Sequence, residues 1–257
     1  MGWKDGKRPE QYLFTITDDF ADDWKALKLS AKRDSRNISD VLRDTVTSKI
    51  KQPRTKSALV LSPHTDDAEL GCGGTIAKLV EKGWTVHVIY FSAVSDRYPN
   101  LVDEAAKSGR ILGVTHEVLE FHTRHFPRDR QDILQALYDH SKAKQYDVVL
   151  TPTTTDIHQD HAVVTSEAKR AFRDCTLLGY ELPWNNLSVS LNCFIPLEER
   201  HVKKKILALD CYNSQKHNPY FNEKFFRSVV KMRGIQLSCP YAEGFETIKV
   251  RLSLIHI

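Results

Sequence analysis

The spacing of apolar residues changes near residue 57 of this chain of 257 residues. Before that point, the alternating stretch QYLFTIT (11–17) predicts a short strand, and two stretches with helical spacing follow it, separated by the polar turn DSRN (34–37). After that point, short apolar runs alternate with amphipathic stretches, a pattern typical of strands separated by helices. The sequence therefore predicts a small N-terminal strand-helix-helix segment followed by an α/β domain.

The segment 57–251 predicts a three-layer α/β fold with a mostly parallel sheet, because its near-continuous apolar runs are typical of strands buried on both faces. The predicted strands are 57–62, 85–91, 117–121 and 147–152, and the predicted helices cover about 73–82, 101–112, 128–144 and 161–172. In a sheet of this kind, ligands bind beyond the carboxyl ends of the strands. Polar motifs at those ends are therefore the first candidates for a functional site.

Two motifs rich in acids and histidines each follow a predicted strand. HTDD (64–67) comes directly after the first strand, and DIHQDH (156–161) follows the fourth. The carboxyl ends of parallel strands meet at one edge of a sheet, so we expect the two motifs to converge. Either motif alone fits an ordinary helix cap, whereas the pair indicates a functional site.

The predicted metal ligands are His64, Asp67 and His161. Two imidazoles and one carboxylate form a three-ligand set that leaves a coordination position open, as in catalytic zinc sites. The same set also suits ferrous iron. We expect Zn²⁺, with Fe²⁺ as the alternative, because hydrolysis requires no redox chemistry.

Three further residues of the motifs are predicted to be catalytic. Asp66 is adjacent to a ligand and can take a proton from the attacking water and later give it to the leaving amine. His158 lies about one helical turn before His161 and can face the oxyanion that develops on the attacked carbonyl. Asp160 can bond His158 and stabilise its cationic form. Together these residues suit metal-assisted hydrolysis of an amide.

PHTDDAELGCGGTIAKL and DIHQDH resemble the two signature motifs of the LmbE-like, or PIG-L, zinc-dependent N-deacetylases. The usual family motif His-Pro-Asp-Asp-Glu is changed here at Thr65 and Ala68, and neither position is a ligand in the family. The resemblance covers about 57–250. It implies a Rossmann-like fold, zinc and removal of acetyl from an N-acetylglucosamine-type sugar. It also implies the roles given above for His64, Asp66, Asp67, His158 and His161.

Later segments resemble the branch of that family found with surface-polysaccharide genes, namely GYELPWNN (179–186), YNSQKHNPYF (212–221) and YAEGFE (241–246). The first of them offers an aromatic platform and polar groups for a sugar, and two arginines that follow strand ends suit a phosphate on a nucleotide-linked sugar. The candidate substrate-binding residues are Arg97, Arg124, Glu181, Trp184, Asn185 and Asn186. Core packing for Trp184 and a plain surface position for each arginine are the alternatives.

Residues 1–51 resemble the ribbon-helix-helix family, in which two chains pair their strands and the paired strand lies in the DNA major groove. The resemblance implies a homo-oligomer formed through this segment, and DNA contact as an alternative role. The first 56 residues contain 13 Lys or Arg and 9 Asp or Glu, so they carry the whole net charge of +4. We expect residues 52–56 to be a linker. We also expect residues 252–257 to be a sequencing-adapter scar, because LSLIHI matches a translated library adapter.

The five cysteines are scattered without a CxxC pair, as expected for a protein of a reducing compartment. No uncharged apolar stretch approaches the roughly 18 residues of a membrane helix, and MGWKDGKRPEQ lacks the apolar core of a signal peptide. We therefore expect a cytoplasmic protein with no membrane span.

Three functions fit these observations. The first is hydrolysis of the N-acetyl amide of a small-molecule sugar, free or linked to a nucleotide or lipid. The second applies the same chemistry to an acylated thiol-precursor glycoside. The third is a DNA-binding regulator that uses residues 1–51, with the α/β domain as a ligand sensor.

Overall fold

The computed structural model describes residues 21–51, 55–93 and 99–251. These residues belong to two compact units, with the boundary between Arg54 and Thr55. Three predicted segments lie wholly or partly outside the described residues: the strand 11–17, linker residues 52–54 and the tail 252–257.

The N-terminal unit contains two described helices, α1 (Ala21–Arg33) and α2 (Ile38–Lys51). Asn37 caps α2, since its Oδ1 accepts a hydrogen bond of 3.0 Å from the backbone N–H of Ser39. The sequence predicts this cap, because asparagine precedes the helical spacing of apolar residues. Pairing of two chains through this unit, and its contact with DNA, stay predictions.

The elements of the second unit are β1 (Ser57–His64), α3 (Asp67–Glu81), β2 (Thr85–Ser92), α4 (Leu101–Leu112), β3 (Thr115–Val118), α5 (Arg130–Ala143), β4 (Val148–Pro152), α6 (Gln159–Ala171), β5 (Thr176–Tyr180), β6 (Cys193–Leu197), α7 (Glu199–Leu209), α8 (Glu223–Gln236) and β7 (Tyr241–Lys249). The strands form one sheet in the order β3-β2-β1-β4-β5-β7-β6. The first five strands pair in parallel, and β7 runs antiparallel between β5 and β6. The predicted α/β fold with a mostly parallel sheet is confirmed.

Both faces of β1 are buried, which explains its continuous apolar run. Ala58 and Val60 belong to the apolar cluster that includes residues of α3, α4, α7 and α8. Leu59 and Leu61 belong to a second cluster with residues of α5 and α6. Successive side chains of a strand point to opposite faces, so the sheet separates two helical layers. Among the described residues, no helix is long and apolar enough to cross a membrane.

Helix α3 begins earlier than predicted, because the glycine-rich stretch kinks the helix instead of delaying its start. Cys72 has a non-helical φ of −143° inside α3. Just beyond this kink, the carboxylate of Glu243 accepts hydrogen bonds from the N–H groups of Gly74 (3.0 Å) and Thr75 (2.6 Å). Glu243 therefore satisfies backbone donors that the kink exposes. These two N–H groups are therefore not open to a phosphate.

Gly71→Ala is expected to destabilise the second unit by about 1–3 kcal/mol, measured by urea unfolding. An added Cβ would lie 2.1 Å from Cδ2 of Tyr180. This ring is anchored, because its hydroxyl donates a 2.8 Å hydrogen bond to the carbonyl oxygen of Leu61. In the control Gly73→Ala, the nearest atom is a side-chain methylene of Lys205 at 3.0 Å, so the loss should be smaller. Equal losses in the two variants would contradict this explanation.

Candidate active site

The HTDD and DIHQDH motifs meet at one edge of the sheet. Strand β1 ends at His64, strand β4 ends at Pro152, and the two strands are parallel neighbours. Helices α3 and α6 then begin at Asp67 and Gln159. The polar side chains of both motifs therefore lie at the carboxyl edge of the sheet, where ligands bind in folds of this class.

Three donor atoms form a triangle with equal sides at this edge. Nδ1 of His64, Oδ2 of Asp67 and Nε2 of His161 are separated pairwise by 3.2 Å. In a tetrahedral zinc site with bonds of about 2.0 Å, the ligand atoms lie about 3.3 Å apart. The three predicted ligands therefore fit a tetrahedral divalent cation.

A second grouping overlaps with this triangle. Ligand atoms of His64, His158 and His161 all lie within 4.8 Å of one another and could also hold a metal ion. We favour the set with Asp67, because its atoms have the spacing of a tetrahedral site and because a carboxylate supplies the negative charge that a cation attracts.

Two further carboxylates orient the imidazoles. Nε2 of His64 lies 3.1 Å from Oδ2 of Asp160, and Nδ1 of His161 lies 2.8 Å from Oδ2 of Asp156. An ionised carboxylate only accepts hydrogen bonds, so the tautomer whose proton lies on the nitrogen facing Asp160 or Asp156 donates to that carboxylate. The opposite nitrogen of each ring, which faces Asp67, then has its lone pair available to a metal ion. Pairs of this kind orient the histidine ligands of metal sites.

The electrostatics of the cluster favour the binding of a metal cation. Burial lowers the pKa of His161, but the carboxylates of Asp67 and Asp156 outweigh burial and raise this pKa to about 10. Burial raises the pKa of Asp67, but His161 and His64 hold it well below its usual range. The Asp67 carboxylate therefore stays ionised and stabilises positive charge at the two rings.

Asp66 lies next to the ligand Asp67, and the helix does not use its carboxyl group. It occupies the N-cap position of α3, but its side chain makes no capping hydrogen bond. Burial, assisted by the neighbouring charge of Asp67, raises its pKa to about 7. A carboxyl group with a pKa near neutrality can both accept and return a proton.

His158 is the N-cap of α6, and its Nδ1 accepts a hydrogen bond of 3.2 Å from the backbone N–H of Asp160. The ring proton of the neutral imidazole therefore sits on Nε2, where it can be donated to an oxyanion. The predicted pairing of the Asp160 carboxylate with His158 is wrong, because that carboxylate contacts His64 and the backbone N–H of Arg124. Burial, with the charges of His161 and His64, lowers the pKa of His158 to about 4 and outweighs the charge of Asp160, which does favour the cationic form of His158, as predicted.

For two of the predicted substrate residues, Glu181 and Asn186, other residues occupy the polar groups. A third, Arg97, lies outside the described residues. The buried carboxylate of Glu181 forms two hydrogen bonds of 2.7 Å with the guanidinium of Arg233, so it ties α8 to the end of β5. The side chain of Asn186 links the backbone of its own loop to the hydroxyl of Thr153. Glu181 and Asn186 therefore have structural roles, because long-range partners occupy their polar groups.

The other three predicted substrate residues lie on loops near the same edge. Trp184 stacks face to face on Tyr220, with ring centroids 3.9 Å apart and planes within 10° of parallel, so one face of its indole is covered. The carbonyl of Asn185 accepts a hydrogen bond of 3.1 Å from the N–H of Ile157, which joins its loop to the DIHQDH motif. The side chain of Arg124 is exposed.

The sequence analysis assigns no role to two residues that the structure places at the site. Asp156 orients His161 and accepts a 2.8 Å hydrogen bond from the backbone N–H of His158. Its place as the first residue of DIHQDH was the available signal. Tyr212 donates its hydroxyl proton to the carbonyl oxygen of Thr65 in HTDD. The segment YNSQKHNPYF, which contains Tyr212, is singled out only by its resemblance to a family. No spacing along the sequence predicts that Tyr212 contacts the HTDD motif, which is distant in sequence.

Sequence comparison connects the chain to known proteins through these motifs. A family model described as GlcNAc-PI de-N-acetylase (PIG-L) matches residues 59–172, a range that includes both motifs. The uncharacterized deacetylase YaiS of Escherichia coli strain K12 is 30% identical over 171 residues, which cover 63% of this chain and 92% of that protein.

Solved structures share the fold across more than one activity. GalB, the 4-carboxy-2-hydroxymuconate hydratase from Pseudomonas putida KT2440, has a TM-score of 0.66 at 22% identity, over 77% of this chain and 98% of that one. N,N'-diacetylchitobiose deacetylase from Pyrococcus horikoshii has a TM-score of 0.56 at 17% identity, over 82% of this chain and 92% of that one. At these identities the likeness establishes the fold alone. The reaction class follows instead from the sequence match that contains HTDD and DIHQDH, and on that match the chain belongs to the PIG-L (LmbE-like) family of deacetylases.

Proposed function

We propose that this protein is a metal-dependent N-deacetylase that hydrolyses the N-acetyl amide of an N-acetylglucosamine-type sugar or sugar conjugate, giving a free amine and acetate. The observation that carries the proposal is the triangle of donor atoms from His64, Asp67 and His161, 3.2 Å apart, with Asp66 adjacent in sequence. We propose Zn²⁺ as the resident metal, with Fe²⁺ as the alternative for the same ligands.

Each residue of the site has a separate role in the hydrolysis of the amide. A divalent cation held by the three donor atoms would supply Lewis-acid charge to polarise the carbonyl oxygen of the amide. Asp66 takes a proton from the attacking water and then gives it to the leaving nitrogen, for which its raised pKa suits it. The Nε2–H of His158 donates to the oxygen on which negative charge develops. Asp156 and Asp160 hold the ligand imidazoles in orientation.

An amino sugar is the proposed substrate class. The matching family model is named for a GlcNAc conjugate, and the Pyrococcus relative is named for an N-acetylated disaccharide. Trp184 and Asn185 are the proposed sugar contacts, because their loop is hydrogen-bonded to the DIHQDH motif. Arg124 and Arg97 are the proposed contacts for a phosphate of a nucleotide- or lipid-linked sugar. An acylated thiol-precursor glycoside is the alternative substrate for the same chemistry.

Amine release from a panel of substrates tests this function. The metal-loaded protein is incubated with free, nucleotide-linked and lipid-linked N-acetyl sugars and with a thiol-precursor glycoside, and amine and acetate are both quantified. We expect release of amine and acetate in equal amounts from at least one sugar, and loss of release after chelation of the metal. No release from any sugar by protein that contains one metal ion per chain would overturn the sugar assignment.

A further inference from the structure

A buried cluster of hydroxyl groups behind the HTDD loop is not used by the proposed mechanism. Glu69 is fully buried, its Oε1 accepts hydrogen bonds from the hydroxyls of Tyr90 (2.7 Å) and Ser108 (2.5 Å), and the same Oε1 lies 3.0 Å from the hydroxyl oxygen of Tyr212. Its Oε2 is buried and has no hydrogen-bond partner among the residues that the structure describes. A buried acid with an unpaired oxygen costs stability, so the cluster requires an explanation other than stability.

Tyr212 differs from Tyr90 and Ser108 because its hydroxyl also bonds the backbone of the HTDD loop. Its hydroxyl lies between two acceptors, Oε1 of Glu69 and the carbonyl oxygen of Thr65. Thr65 is the residue immediately before Asp66. Tyr212 itself is fully buried in the segment that follows α7, so it connects the C-terminal half of the domain to the HTDD loop.

The same loop is held at a second point by Ser62. The hydroxyl of Ser62 donates a 2.6 Å hydrogen bond to the carbonyl oxygen of His64 and accepts a 2.9 Å hydrogen bond from the N–H of Ala68. The contact from Tyr212 falls between these two, on the backbone beside Asp66. Because the carboxyl group of Asp66 makes no capping hydrogen bond, the position of that carboxyl group depends on its backbone.

We propose that Tyr212 is a positioning residue for Asp66. Its hydroxyl fixes the carbonyl of Thr65 and thereby the backbone that carries the proton-transferring carboxyl group, and Glu69 keeps this hydroxyl in place. The inference rests on the proposed function, in which Asp66 is the base. A displacement of about 1 Å in a reacting group is enough to lower a rate by about 100-fold, so a single hydrogen bond to this loop has a measurable effect.

Tyr212→Phe, compared with Tyr90→Phe, tests the proposal. Both substitutions remove one hydroxyl that bonds Glu69 from a fully buried ring, but Tyr90 makes no hydrogen bond to Thr65. We expect kcat of Tyr212→Phe to fall by about 10- to 100-fold with KM and metal content unchanged, and kcat of Tyr90→Phe to stay within about threefold of the wild type. Equal loss in the two variants would overturn the positioning role.

A second measurement needs no substrate. Hydrogen exchange of the backbone amides of residues 64–68, followed by mass spectrometry, should be faster in Tyr212→Phe than in Tyr90→Phe. Glu69→Gln, which keeps a polar group beside the hydroxyl, should preserve slow exchange, whereas Glu69→Leu should resemble Tyr212→Phe. If the wild type releases no amine from any sugar, the proposed function fails. The exchange result still decides the positioning role, and equal rates in the two tyrosine variants would overturn it.

Discussion

Asp66→Asn is expected to lower kcat for amine release by about 100- to 10,000-fold, the usual contribution of a general acid–base group. Asparagine has nearly the same shape but cannot take the proton of the attacking water. Burial raises the pKa of Asp66, so its ionised form disfavours the folded state near neutral pH, and the neutral amide removes this cost. The variant should therefore fold at least as stably as the wild type, as thermal unfolding at pH 7 would measure.

The neighbouring acid provides the matched control. Asp67→Asn changes the same kind of side chain one position further on, but Asp67 supplies one of the three donor atoms. We expect Asp67→Asn to lose both metal and activity, and Asp66→Asn to lose activity while it retains one metal ion per chain. An Asp66→Asn variant that keeps more than about a tenth of the wild-type kcat would show that another group moves the proton.

The convergence of the two motifs could be predicted because it depends on local features and one rule of topology. HTDD directly follows an apolar run, and DIHQDH follows another at a short distance. Once both runs are parallel strands, their carboxyl ends share an edge. The structure confirms this for β1 and β4, which are neighbours in the sheet. The predicted boundaries of α4, 101–112, also agree with the structure, because Gly113 ends that helix in a left-handed conformation.

The partner of each polar group could not be predicted, because it depends on residues far apart in sequence. The Asp160 carboxylate bonds His64, which lies 96 residues earlier, and not the nearby His158. The sequence predicts that Glu181 binds a sugar, but its carboxylate accepts two hydrogen bonds from Arg233 of α8. Spacing along the chain indicates which residues reach the site. It does not indicate which oxygen faces which nitrogen.

The sequence does not predict the antiparallel strands β6 and β7, for a related reason. Strand β7 contains Glu243 and Gly244 at buried positions, so it lacks the alternation of apolar and polar residues that identifies a strand. Glu243 is buried because it bonds the kinked backbone of α3 and pairs with Lys205 at 2.7 Å. A charged residue in a strand is explained only when its helical partners are known.

His161→Ala is expected to weaken metal binding by more than about 100-fold, beyond the 10- to 100-fold effect of substituting an outer partner of a ligand. The substitution removes one corner of the triangle and takes from Asp67 and Asp156 the ring that both contact. Competition with a chromogenic chelator measures the metal affinity, and amine release should be lost in parallel.

His158→Gln is the control that separates the two overlapping groups of candidate ligands. If Asp67 completes the site, this variant keeps its metal affinity within about tenfold of the wild type, because His158 only donates to the oxyanion, and kcat falls by about 100-fold or more. If His158 is the third ligand instead, as the cluster of three histidines within 4.8 Å allows, His158→Gln loses metal as severely as His161→Ala. Asp67→Asn then retains most of the affinity. The two ligand sets therefore predict opposite orders of metal affinity for His158→Gln and Asp67→Asn, and one titration series decides between them.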